Sequence, residues 1–314
     1  GGAVWNSPVI DAERGALYVG TGNSYTAPAS DDTDAVLALD LETGERLWWY
    51  QLESDDFFLV GCPGRIDVQG RPTDPKRAEP RYYEYLNCPD PTNMNANIDN
   101  DVQAVMLHRV SDERTIIVAA QQTGKVYALD PDREGAVLWE LYPGAEERAN
   151  ITFGGATDGE LAYFPILFQP PVPYGGVGDL LPGTPGTMAT GALAAIRVGT
   201  GELTWYTPTP EPNCPKPMTP ACREYGSGQN GAATVIPGVV FAGAMDGMLR
   251  AYSTDDGEII WEYDTTKEFM TVNHVTAKGG SLNGPGPTVV NGMLFMGSGI
   301  SSGPGNVLLA FGIE

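Results

Sequence analysis

The 314-residue sequence predicts an all-β chain, a β-propeller of four-stranded antiparallel blades. Two observations carry that prediction. One is a recurring segment with a tryptophan at matched spacing. The other is a high content of glycine and proline, 40 and 26 residues, spread between short apolar runs without a collagen-like period.

The repeat is legible by self-comparison. Ala38-Leu-Asp40-Leu-Glu-Thr43-Gly44 leads to Trp48, and Ala128-Leu-Asp130 leads to Trp139 with one extra residue. Ala195-Ile-Arg197-Val-Gly-Thr200-Gly201 leads to Trp205, and Ala251-Tyr-Ser253 through Gly257 leads to Trp261. A fifth copy begins at Val307 and reaches Ala310-Phe311. The alanines lie 90, 67, 56 and 59 residues apart.

Each copy reads as a hairpin. An apolar strand ends near the alanine, and a tight turn follows in which Asp accepts backbone N–H groups and Gly takes a positive φ. A second strand then carries the tryptophan. Small alanine lets neighbouring sheets approach, and tryptophan fills the space between them. A further strand pair precedes each hairpin, such as Ser7–Ile10 with Ala16–Gly20. Isolated hairpins bury too little apolar surface to stand alone, so radial repetition is required.

The long spacings hold insertions. Residues 62–97 are polar and Pro-rich, 167–190 are rich in Pro and Gly, and 208–228 form a third. Such loops serve either as functional rims or as surface decoration. The last copy has no tryptophan-bearing strand and the first residues supply none. The whole chain, 1–314, is therefore expected to be one partial propeller domain with further blades preceding Gly1.

Charge excludes several functions. There are 18 Lys and Arg against 40 Asp and Glu, a net charge of −22. Binding to nucleic acid or to an anionic membrane surface needs the opposite balance. No apolar run reaches the roughly 18 residues of a membrane helix, so no membrane insertion is expected. Only His108 and His274 occur, which excludes a His-rich metal site. No phosphate-binding loop motif is found.

Cys62, Cys88, Cys214 and Cys222 form two local pairs, each within an insertion. Their spacing fits no zinc ribbon or c-type haem. Two loop-closing disulfides, Cys62–Cys88 and Cys214–Cys222, are one of three pairings, and four free thiols are the alternative. The disulfide reading places the protein in an oxidising compartment, periplasmic or secreted.

The pattern Ala-x-Asp-x-x-Thr-Gly-x-x-x-Trp resembles the tryptophan-docking motif of dehydrogenases that use pyrroloquinoline quinone (PQQ). The resemblance runs along essentially the whole chain. It is closest in kind to the polyvinyl alcohol dehydrogenases, through Ala3-Val-Trp5-Asn-Ser7-Pro8, Gly20-Thr-Gly22-Asn23, Asp55-Asp56-Phe-Phe58, Met245-Asp246-Gly247 and Gly279 to Pro287. It implies a quinoprotein alcohol dehydrogenase-like propeller of which this chain supplies about five of eight blades. It also implies PQQ and Ca2+ on the central axis, an alcohol or polymer substrate, an Asp as general base, and cytochrome c as electron acceptor.

The resemblance also assigns residues. Trp5 matches the aromatic that stacks on the quinone. Asn23 matches a Ca2+ ligand, whose carbonyl suits a hard cation. Asp56 lies in the stretch that matches the catalytic motif, although methanol-type enzymes carry their base three residues later, where this chain has Leu59. Asp101 and Asp99 resemble a later acidic motif and are the other candidates for the base. Gln122 stands where a basic residue contacts the quinone oxygens, and it brings a donor without a positive charge. Two functions follow: a PQQ-dependent alcohol dehydrogenase, or a PQQ-like propeller that binds other proteins as a scaffold. Fold alone does not separate them.

Overall fold

Trp48, Trp139, Trp205 and Trp261 occupy equivalent places in successive sheets of the computed structural model, which describes residues 2–25, 28–56, 58, 101–111, 114–144, 149–173, 188–212, 226–299 and 305–312. Each tryptophan pairs across the ladder with the alanine of its own motif: Ala38 with Trp48, Ala128 with Trp139, Ala195 with Trp205, and Ala251 with Trp261. In all four the register shifts immediately after the alanine. The bulge turns the tryptophan strand and increases local twist.

The first sheet contains β1 (Val9–Asp11), β2 (Ala16–Gly20), β3 (Ala35–Asp40) and β4 (Arg46–Gln51), paired in that order. The second contains β5 (Val102–Ser111), β6 (Arg114–Gln121), β7 (Val126–Asp130) and β8 (Ala136–Leu141). The third adds the short β9 (Ala149–Asn150) to β10 (Ala156–Thr157), β11 (Leu161–Pro173), β12 (Met188–Arg197) and β13 (Leu203–Pro208). The fourth contains β14 (Thr234–Ile236), β15 (Val239–Gly243), β16 (Met248–Ser253) and β17 (Ile259–Asp264). A hairpin of β18 (Glu268–Met270) and β19 (Thr276–Lys278) follows. The fifth sheet has β20 (Thr288–Val290), β21 (Met293–Ser298) and β22 (Val307–Gly312). All pairings are antiparallel.

The radial arrangement follows from which strands meet. The first strands of consecutive sheets, β1, β5, β10, β14 and β20, lie beside one another and form the inner rim. Four apolar cores lie between neighbouring sheets. Tyr18, Val36 and Ala38 pack on Ile117, Ala119 and Leu129 across the first seam. Ile116, Val118 and Ala120 pack on Phe164, Ile166 and Ala194 across the second. Alternate residues of β6 thus face opposite neighbours. A strand buried on both faces reads as a continuous apolar run, which explains Thr115-Ile-Ile-Val-Ala-Ala120. Tyr163, Leu193 and Tyr252 fill the third seam, and Leu249, Leu282, Leu294 and Met296 the fourth.

The tryptophans bridge these seams onto the turn glycines. A Cβ built on Gly135 would sit 2.6 Å from the Trp48 ring. One on Gly201 would sit 2.7 Å from Trp139, and one on Gly257 2.5 Å from Trp205. Real Cβ atoms do not approach so closely, so these turns need glycine for space as well as for φ near +75°. Trp139 Nε1 donates to the Val198 carbonyl and Trp205 Nε1 to that of Thr254, both at 2.9 Å. Trp261 instead meets the Phe311 ring edge-on at 5.5 Å. The extra residue before Trp139 is absorbed by a 3₁₀ turn, Pro131–Arg133, followed by Glu134 and Gly135 at positive φ.

Two details differ from the sequence expectation. The segment 167–190 is not loop throughout. β11 continues to Pro173 and β12 begins at Met188, with a register shift between Leu167 and Val172 that accommodates the prolines. The β18–β19 hairpin was also not anticipated, because its strands are three residues each. The four cysteines and Asp99 lie outside the described residues.

One turn makes stability pH-dependent. Asp158 accepts hydrogen bonds from the Tyr163 hydroxyl and from the amides of Leu161 and Glu160. Burial opposes its charged form, but these donors together hold its carboxyl below the usual range. A depressed carboxyl stabilises the fold above the unfolded value of about 3.9, and that contribution is lost as pH falls through the folded value. Tyr163→Phe is therefore expected to cost more at neutral pH than at pH about 3. Denaturant titrations of both proteins at the two pH values check this.

Candidate functional site

The loop after β2 and the start of β5 meet at the seam between the first two sheets. Glycine makes the approach possible. A Cβ on Gly20 would fall 2.6 Å from Val102, and one on Gly22 would fall 2.2 Å from Asp101 Oδ1. Val102 N donates to the Thr21 carbonyl at 3.1 Å, and Gly22 N to that of Ala3 at 2.7 Å. The Asn6 amide clamps the same place. Its Nδ2 donates to the carbonyls of Gly20 and Val102, and its Oδ1 accepts from Gly20 N.

Four of the residues expected from sequence converge here. Asn23 and Asp101 are 1% and 6% exposed. The Asp101 carboxylate accepts through Oδ1 from Asn23 N at 2.6 Å and from Asn23 Nδ2 at 2.8 Å. Gln122 N donates to the Asp101 carbonyl at 2.8 Å. Trp5 is 58% exposed, and its Cδ1 lies 3.3 Å from a Cβ built on Gly22. The Trp5 ring therefore borders the backbone that carries Asn23, with much of its surface open.

Asp56 is buried, at 1% exposed, two residues before Phe58, whose N–H donates to the Ser24 carbonyl at 3.0 Å. Its segment returns to the strand end that bears Asn23. Leu59 and Asp99 are outside the described residues.

Sequence reasoning missed two members of this cluster. Asn6 was quoted only within a motif, although an amide following Trp5 at the inner rim has this clamping role. Gln103 was not singled out. It is 6% exposed, and its Nε2 donates to Asp101 Oδ2 at 3.3 Å and to Gln122 Oε1 at 2.9 Å.

The donor chemistry suits a hard cation next to a planar group. Asn23 and Asp101 offer oxygen ligands, and Trp5 offers an exposed π face. Among the described residues no group of three or more His, Cys, Asp or Glu is arranged to hold a metal. A hard cation takes about six to eight oxygens, more than Asn23 and Asp101 carry between them.

Gly22 makes a direct test of this geometry. Gly22→Ala forces the Asp101 carboxylate off the two Asn23 N–H groups, and a buried carboxylate that loses such bonds costs about 1–3 kcal/mol. A matching loss of stability is expected on denaturant titration, while Gly238→Ala, on an open turn at φ 83°, is expected to produce only the smaller strain of that turn.

Comparison with known proteins agrees with this architecture. The polyvinylalcohol dehydrogenase of a Pseudomonas species is 34% identical over 100% of this chain, and that of Sphingopyxis sp. strain 113P3 is 33% identical over the same share. Along its whole length this chain is similar to these polyvinylalcohol dehydrogenases. It spans 45% of the length of both relatives. The model of the family described as PQQ_2, outer membrane protein assembly factor BamB, matches residues 189–312 of this chain. Among solved structures, a europium-containing methanol dehydrogenase superposes with a TM-score of 0.56 at 15% identity, covering 97% of this chain and 52% of its own. At that identity the likeness establishes the propeller fold.

Proposed function

We propose that the intact protein oxidises secondary hydroxyl groups of an alcohol or polyvinyl alcohol-like polymer with PQQ. The observation that carries this reading is the Asp101 carboxylate, held by the backbone and side-chain N–H of Asn23 beside exposed Trp5.

The residues divide the work by chemistry. Trp5 presents the flat face against which the quinone would stack. The Asn23 carbonyl would ligate Ca2+, with further ligands from outside this cluster. PQQ, when bound, supplies the acceptor for the hydride that leaves the alcohol carbon. Asp101 takes the hydroxyl proton as that hydride departs, so one proton and one hydride leave the alcohol and a carbonyl remains. Gln122 donates a hydrogen bond toward the acceptor oxygens without adding charge. Asp56 and Asp99 are the other acids proposed for the proton transfer. Cytochrome c is proposed as the electron acceptor, and the compartment as periplasmic or secreted.

A second reading, a protein-binding scaffold, is favoured by Gln122 in place of a basic residue and by the assembly-factor family match over residues 189–312. One experiment separates the two. The intact protein is reconstituted with PQQ and Ca2+, and dye reduction is followed with pentane-2,4-diol and with polyvinyl alcohol. Alcohol-dependent reduction that disappears on chelation of Ca2+ supports the dehydrogenase. Its absence with every alcohol leaves the scaffold.

A further inference from the structure

We infer that the tip of the β18–β19 hairpin docks a basic electron-acceptor protein; the identity of that occupant rests on the proposed dehydrogenase reading. The hairpin stands at the same end of the sheets as the candidate site. Each sheet is a meander, so the loop after its second strand and the linkers between sheets share one end. Asn23 and Gln122 lie in loops after second strands, Asp101 in the linker from β4 to β5, and the hairpin in that from β17 to β20. Backbone bonds fix this last linker in place. Thr265 N donates to the Gly247 carbonyl at 3.0 Å, in the loop after β15, and Asn306 N, in the loop after β21, to that of Lys278 at 2.9 Å. Gly279 N closes the base of the hairpin onto the Lys267 carbonyl at 3.1 Å.

The tip is rigid and apolar at once. Thr271 N donates to the Val275 carbonyl and Val275 N to Thr271 Oγ1, both at 3.1 Å, and His274 N reaches the Thr271 carbonyl at 2.9 Å. His274 takes φ 60°, where residues other than glycine are uncommon. On this fixed turn Val272 is fully exposed, and Met270 and Val275 are 69% and 59% exposed. Single apolar residues are ordinary on a surface, but three within six residues on one projecting turn form a contact patch. Residues 269–277 carry no Asp or Glu, in a chain whose net charge is −22. An uncharged apolar centre within a charged surround is the anatomy of a protein interface. The surrounding acidity selects a basic partner, because it attracts one over distance and does nothing for a neutral polymer. A turn already fixed also loses little conformational freedom on docking. Each alcohol oxidised to a carbonyl releases two electrons and two protons. Two partner molecules, each with one Fe(III) haem, take one electron apiece, and the protons pass to water.

Commercial cytochrome c, a basic one-electron haem protein, is the probe. The intact protein is compared with its Val272→Ser and Met270→Gln variants and with Val290→Ser as a control. Val290 is also exposed, but it closes β20 at the opposite end of the sheet. Calorimetry without PQQ gives the Kd for cytochrome c. The reconstituted protein gives KM for cytochrome c and for polyvinyl alcohol, the rate of dye reduction, and the unfolding temperature. Val272→Ser and Met270→Gln are each expected to raise Kd and KM for cytochrome c by about 5- to 30-fold, the range of an interface residue that matters. Dye reduction, KM for polyvinyl alcohol and unfolding temperature are expected to stay at wild-type values, and Val290→Ser to match wild type throughout. Added salt is expected to weaken the wild-type complex. Unchanged cytochrome c binding in both tip variants, or no binding by wild type, overturns the docking surface. So does a raised KM for polyvinyl alcohol with cytochrome c binding intact, which assigns the tip to the polymer. A lowered unfolding temperature with intact binding overturns it too, because another part of the intact protein then covers the tip. Absence of dye reduction with every alcohol overturns the dehydrogenase reading, while loss of cytochrome c binding in the tip variants still supports the docking surface.

Discussion

Asp101→Asn is expected to lower kcat for alcohol oxidation by about 10²- to 10⁴-fold, the usual worth of a positioned general base. The substitution is nearly isosteric. Its oxygen still accepts from Asn23 N and Nδ2, so the loop after β2 is expected to stay in place. Its new NH2 faces the Gln103 amide, which already presents N–H there, so that contact is lost or reversed. A large fall in kcat with an unfolding temperature close to wild type separates the base role from a structural one. Steady-state dye reduction and thermal unfolding of the reconstituted protein measure the two. An unchanged kcat would move the proton transfer to Asp56 or Asp99.

Trp205→Ala carries the largest expected loss of stability, about 3–5 kcal/mol by the scale of large-to-small core substitutions. Trp205 is 9% exposed, meets the Tyr163 ring at 5.8 Å, and caps the Thr254 carbonyl through Nε1. The space beneath it is closed by Gly257, which has no side chain with which to fill the void. Trp261→Ala, at 36% exposed and with a ring contact in place of a glycine seat, is expected to cost less. Denaturant titration of the two variants checks the order. Equal losses would mean that the third seam does not depend on its tryptophan more than the fourth.

Much of the fold was legible because the tryptophan seat is local. Alanine, turn glycine and tryptophan lie within about a dozen residues, so their spacing survives insertions elsewhere. The extra residue before Trp139 was visible as a number; its accommodation by Pro131 and two left-handed residues was not. The prolines near 170 read as loop because proline normally ends strands, yet here the ladder resumes past a register shift. The site was legible to the extent that resemblance pointed to Trp5, Asn23, Asp101 and Gln122. Gln103 was hidden because its role depends on one inserted residue in β5, and a bulge leaves no mark in the alternation of Val102-Gln-Ala-Val105. The contact between Asp101 and Asn23 was also hidden, because it spans 78 residues of sequence.

The site also straddles a joint. Asn23 hangs from the first sheet, while Asp101, Gln103 and Gln122 hang from the second. Anything gripped by both sides acts as a clasp between two otherwise separately hydrogen-bonded sheets, so occupancy and cohesion reinforce one another. Loading the clasp raises the cost of parting that joint in particular, and slackening the joint loosens the grip. Protection of β2 and β5 amides from hydrogen exchange should therefore rise on loading more than that of β15 or β16, three joints away around the fan.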